Sequence, residues 1–166
     1  MIAEPTTQPV IATRTLENSI WYLGPNLFSI LMDGQATGGA YSLLHLTSPK
    51  GAEPPPHTHS REDEVFFILR GRIRGTIGEM PFEAGPGTLI HLPRNTQHGW
   101  TIESDELEML TWFTPAGCEG YFRHPEISRP AEDLTLGPPL QDPGKYVRAA
   151  ELLAEYGVSM PPPSAQ

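Results

Sequence analysis

Apolar positions along this chain fall in short runs with a period of two, broken every few residues by glycine, proline or a charged turn. Strand-like runs are read at Ile20 to Leu23, Leu27 to Met32 and Tyr41 to Thr47, with a turn-rich Asp33 to Gly39 between the last two. A second series follows at Glu64 to Leu69, Arg72 to Ile77, Met80 to Glu83 and Thr88 to Leu92, then at His98 to Ile102 and Leu107 to Phe113. Gly71, Gly78-Glu79 and Gly85-Pro86-Gly87 supply the breaks. Short strands at this spacing predict an all-β sandwich or barrel.

One helix is expected near the C-terminus. Asp142 suits the N-cap, Pro143 the first helical position, and Gly157 the residue past the end. Tyr146, Ala149, Ala150, Leu153 and Tyr156 form its apolar stripe, which should pack on the outside of the β body. The organisation expected is an N-terminal arm at 1–13, a β-barrel at 14–125, a loop and helix packed on the barrel at 126–158, and a flexible tail at 159–166.

Composition narrows the class. With 16 Gly and 19 Pro in 166 residues there is little room for long helices, which excludes an all-α bundle, and the length suits one domain. A formal charge of −9, without a Lys/Arg cluster, argues against nucleic-acid and membrane-surface partners and leaves small molecules. Cys118 is the single cysteine, so an intrachain disulfide and a multi-cysteine zinc site are excluded. No basic start precedes an apolar run, and the expected setting is cytoplasmic.

Chemistry concentrates in Gly51 to Gly71, GAEPPPHTHSREDEVFFILRG. Gly51 is followed after five residues by His57, after one more by His59, after four by Glu64 and after six by Gly71. Gly87, then Pro93 after five residues, then His98 five positions later, make a second unit. Together these stretches resemble the two sequence motifs of the cupin superfamily. Asn95 stands where the family usually has Gly, a mild change because Asn tolerates a left-handed backbone, and Ile102 stands where it often has Asn.

The resemblance implies a cupin jelly-roll fold in which His57, His59, Glu64 and His98 hold one divalent metal. Imidazole and carboxylate suit Fe, Mn, Ni, Co, Cu or Zn alike. Three His and one Glu leave coordination positions open, as in a catalytic shell. One carboxylate against a dication leaves a net charge of +1 that would attract an enolate or carboxylate. The acidic run also offers Glu62 in place of Glu64. His45 and His91 read as structural histidines, His124 as a surface residue and Cys118 as an inert thiol.

Strand alternation outlines a pocket. If Glu64 points inward, so do Phe66 and Ile68, and from His98 the same period turns Trp100 and Ile102 inward. Tyr41, Met109 and Phe113 are further wall candidates, and Tyr121 and Phe122 candidates for a lid. HTHSREDEVFFILRG, HLPRNTQHGW and EYGVSMPPP look like small single-domain bacterial quercetin 2,3-dioxygenase-like cupins. That likeness implies a metal-dependent dioxygenase acting on an enolisable aromatic, flavonol-like or polyketide-like molecule, with Glu64 also as catalytic base, dioxygen as co-substrate and a homodimeric assembly. An isomerase, cyclase or lyase on the same metal site, or a non-catalytic small-molecule-binding cupin, are the alternatives.

Overall fold

The computed structural model describes residues 9–161. Its elements are β1 (Ser19–Tyr22), β2 (Asn26–Met32), α1 (Gly34–Thr37), β3 (Ser42–Pro49), β4 (Thr58–His59), β5 (Asp63–Arg70), β6 (Ile73–Ile77) and β7 (Met80–Ala84). There follow β8 (Leu89–Leu92), β9 (His98–Ile102), β10 (Glu106–Thr114), α2 (Glu119–Phe122), β11 (Ser128–Pro130), α3 (Gly144–Glu155) and β12 (Val158–Ser159). One sheet runs β11-β1-β2-β3-β10-β5-β8, a second β7-β6-β9, and β12 pairs with β4. All pairings are antiparallel.

The period-two pattern explains the layers. On β5 the residues Glu64, Phe66 and Ile68 are buried while Asp63, Val65 and Phe67 are only partly so; on β10 Leu107, Met109, Thr111 and Phe113 alternate in the same way. Phe66, Ile68, Leu107 and Met109 of the large sheet share one core cluster with Ile73, Trp100 and Ile102 of the small sheet. Burial of each such side chain contributes about 1.5–3 kcal/mol. The turn from β5 to β6 depends on Gly71, whose φ is 88° and where a Cβ would stand 2.4 Å from the Glu106 carbonyl oxygen.

Several elements differ from the sequence reading. The Asp33 to Gly39 turn closes into α1 because the Asp33 carboxylate accepts from Ala36 N at 3.0 Å. The large sheet extends past residue 125 through β11, which pairs with β1. Helix α3 begins at Gly144, one residue later than expected, and Asp142 Oδ1 accepts from Gly144 N at 2.9 Å. Of its expected stripe, Ala149 is buried, Leu153 packs against the β core and Tyr156 meets Tyr121 edge-on, whereas Tyr146 is 55% exposed; Leu152 is the other buried position, and Tyr146, Ala150 and Leu153 also line a cavity. The tail expected from 159 begins in a strand, since Ser159 pairs with Thr58. The rest of that tail from 162, like residues 1–8 of the arm, lies outside the described residues. Among the described residues no helix is long and apolar enough to cross a membrane.

Candidate metal centre and its cavity

His57 follows Pro54, Pro55 and Pro56, which fix φ and hold the approach extended. The N–H groups of His57 and His98 each donate to the other's carbonyl at 2.9 Å, so the two motifs are joined backbone to backbone. Pro56 packs on Gly99, where a Cβ would lie 2.8 Å from Pro56 Cγ; any side chain at 99 would push His57 away. His59 sits on β4 between two neighbours. Its carbonyl accepts from Asn95 N at 2.7 Å and its strand pairs with β12. Asn95 adopts φ 62°, the left-handed conformation for which Asn is suited.

These constraints bring His57, His59, Glu64 and His98 together, with one ligand atom from each lying within 4.8 Å of the others. His57 Nδ1 donates to Pro55 O at 2.9 Å and His98 Nδ1 to Thr96 O at 3.2 Å. With the proton held on Nδ1, both Nε2 atoms present lone pairs, and they face each other at 3.2 Å. Glu64 Oε2 lies 3.3 Å from His98 Nε2 and 3.6 Å from His59 Nε2, and it is buried without a hydrogen bond. Thr111 Oγ1 donates to the other oxygen, Oε1, at 3.2 Å. Converging lone pairs and an orphaned carboxylate oxygen repel one another unless a cation stands between them, so the donor set fits a divalent metal.

Ionisation follows the same geometry. Burial pushes His57 down to about 4, which keeps the imidazole in the neutral form that binds metal. His59 is buried too, but Glu62 and Glu64 outweigh that and raise it. For Glu64 burial acts upward, yet the facing His98 ring and the nearby His59 and His57 outweigh it and hold the carboxyl below its ordinary range. Glu62 is as buried as Glu64, and its Oε2 lies 3.6 Å from His59 Nδ1, on the far side of that ring from Glu64. It is therefore outside the four-donor cluster. It places a second buried carboxylate behind the His59 ring, where its charge would offset part of the +1 expected of the four-donor set with a dication.

The cluster lies at one end of a cavity of about 530 Å³. His57, His59 and Glu64 line it, and His98, 1% exposed, stands behind them. Of the wall and lid residues expected from sequence, Phe66, Trp100, Met109, Phe113, Tyr121 and Phe122 line the cavity. Ile68 and Ile102 do not; they share the inward face but lie further along their strands, fully buried in the core with Ile73. Tyr41 does not either, being 39% exposed in the turn before β3, where its carbonyl accepts from Thr37 Oγ1.

Other residues at the cavity have no motif to announce them. Tyr22 and Phe28 enter from β1 and β2, and Phe28 stacks on Phe122 at 4.7 Å between centroids. The Tyr22 and Tyr121 hydroxyls meet at 2.9 Å, and Tyr121 donates to Ala149 O on α3 at 3.3 Å. Burial raises the Tyr22 phenol well above its ordinary value and lifts Tyr121 to about 12. Cys118 also lines the cavity; burial, then the nearby carboxylates Glu64, Glu62 and Glu119, raise its pKa and keep it a thiol. Outside the site, His45 pairs with Glu108 at 2.9 Å, His91 is exposed and His124 is half-buried.

Comparison with known proteins agrees with this architecture. Residues 44–114 match the family model described as a cupin domain. Quercetin 2,3-dioxygenase of Bacillus subtilis is 27% identical over 100 residues, which is 60% of this chain but only 30% of the length of that protein. An RmlC-like cupin from Shewanella frigidimarina superposes with a TM-score of 0.56 at 17% identity, over 69% of this chain and 99% of the other. Pac13, a nucleoside dehydratase from Streptomyces, gives 0.52 at 16% identity, over 76% of this chain and 95% of its own. Sequence match and fold thus coincide on the β body that carries the histidine cluster: residues 44–114 are similar in sequence to a cupin domain, and the β architecture around them superposes on solved cupins.

Proposed function

We propose that this protein is a cupin and a metal-dependent dioxygenase acting on an enolisable aromatic, flavonol-like or polyketide-like molecule. The observation that carries the reading is the placement of three imidazoles and one carboxylate at the end of a cavity walled by aromatic side chains. The sequence likeness to quercetin 2,3-dioxygenase supports the choice of reaction.

A divalent transition metal held by His57, His59, Glu64 and His98 would supply Lewis-acid stabilisation of an enolate oxygen and, if redox-active, a path for electrons to dioxygen. The chain's own residues do the rest. Glu64, with Oε1 fixed by Thr111, is the base that takes the substrate hydroxyl proton. Phe113 and Phe122 stack at 6.1 Å between centroids and Trp100 stands edge-on to Phe66 at 5.8 Å; they hold a flat ring system and exclude water. The same reading makes the protein a cytoplasmic homodimer using small-molecule substrate and dioxygen.

An oxygen electrode tests it. Metal-loaded protein given flavonol and β-diketone substrates should consume one dioxygen per substrate and stop when oxygen is removed. Turnover that continues anaerobically overturns the dioxygenase reading and assigns an isomerase, cyclase or lyase to the same site.

A further inference from the structure

We propose that Glu62 is a positioning residue of the metal centre, holding the Nδ1 side of His59 so that its Nε2 faces the other donors. This rests on the metal-centre reading above. Glu62 and Glu64 are two positions apart where the chain enters β5, so both carboxylates turn inward while Asp63 between them turns out to Arg94. The His59 ring lies between the two. Its Nδ1 is 3.6 Å from Glu62 Oε2 and its Nε2 is 3.6 Å from Glu64 Oε2.

The three histidines are not anchored alike. His57 and His98 each donate Nδ1–H to a backbone carbonyl. His59 Nδ1 and Glu62 Oε2 are both buried and neither makes a hydrogen bond, so the ion-pairing contact between them is the partner each has. A buried carboxylate without a donor and a buried ring nitrogen without an acceptor are each costly alone; facing each other, they offset that cost. A carboxylate behind a metal-binding imidazole fixes its tautomer and raises the basicity of the opposite nitrogen more than a carbonyl does. His59 is thereby the strongest nitrogen donor of the three, and it owes this to a residue outside the cluster.

The test is metal affinity, read by competition with a chromophoric chelator using Zn(II) and Co(II), together with the visible absorption of the Co(II) protein. Glu62→Gln keeps shape and removes the charge; it should lower affinity about 10- to 100-fold and shift the Co(II) bands. Glu62→Asp, which restores the carboxylate on a shorter stem, should recover part of the loss. Asp63→Asn removes a charge one residue away that faces Arg94, and should leave both readouts unchanged. Wild-type affinity and spectrum in Glu62→Gln overturn the proposal, as does an equal loss in Asp63→Asn, which would make the effect one of general charge. Failure of the wild type to bind either metal overturns the metal centre itself, a different result from wild-type binding that ignores residue 62.

Discussion

At one end of the cavity three imidazoles and a carboxylate crowd within 4.8 Å of one another; toward the other, Tyr22, Phe28, Tyr121 and Phe122 meet ring against ring. The first set is drawn from residues 57–98, inside the matched cupin span, and every member is fixed by backbone pairing or a buried polar contact. The second is assembled from β1, β2 and α2, outside that span, and is held by apolar contact with one pair of hydroxyls. The polar end tolerates no change of chemistry because each donor would be left facing bare lone pairs. The aromatic end can vary in shape while the metal stays bound. The two meet at β12, whose Val158 is buried beside the cavity and whose backbone pairs with His59.

The largest expected effect falls on the polar end. Ala at His57, His59 or His98 should each strip most bound metal, measured by elemental analysis, whereas His45→Ala and His91→Ala should retain it. If His98→Ala keeps full metal content, the division between the two ends is wrong. Next, Phe122→Ala should cost about 2–3 kcal/mol in urea unfolding, below the range for a fully buried ring, and should weaken aromatic ligands while leaving metal content intact. Loss of metal in that variant would show that the aromatic wall is not independent.

At the seam, Gly157 has φ 78°, and a Cβ there would stand 2.7 Å from Arg61 Nε. Gly157→Ala should therefore cost about 1–2 kcal/mol for the left-handed backbone and, by straining the β12–β4 pairing, should lower metal affinity modestly. An unchanged affinity would separate the C-terminal strand from the metal end. The smallest effect is electrostatic. Hydrogen bonds from Arg94 lower the Asp63 carboxyl to about 2, below its unfolded value of 3.8. The pair's contribution is thus full above pH about 4 and is lost as pH falls from 3.8 toward 2. The stability difference between wild type and Arg94→Ala should be constant at neutral pH and vanish in that acid window; a difference that grows there would contradict the sign.

The sequence made the polar end legible because its spacing is local: His57, His59 and Glu64 lie within eight residues, and Gly71 and Gly87 mark turns that their φ values require. Alternation also turned Phe66 and Trp100 to the right side. It gives a face and not a depth: Ile68 and Ile102 share the inward face with the cavity walls but belong to the core beneath them. Tyr22 and Phe28 escaped notice because the sheet order that brings β1 and β2 over the site is set by long-range pairing. In sequence Glu62 and Glu64 are interchangeable, since strand parity puts both on the same face; the position of the His59 ring separates their roles.

The most direct measurement is an anomalous difference map from crystals of the metal-loaded protein, collected at the absorption edge of the bound metal. One peak per chain should stand about 2.0–2.2 Å from the Nε2 atoms of His57, His59 and His98 and from a Glu64 carboxylate oxygen, with Glu62 outside the coordination sphere. A map with no peak among these four residues, or with Glu62 as a ligand in place of Glu64, would contradict the account.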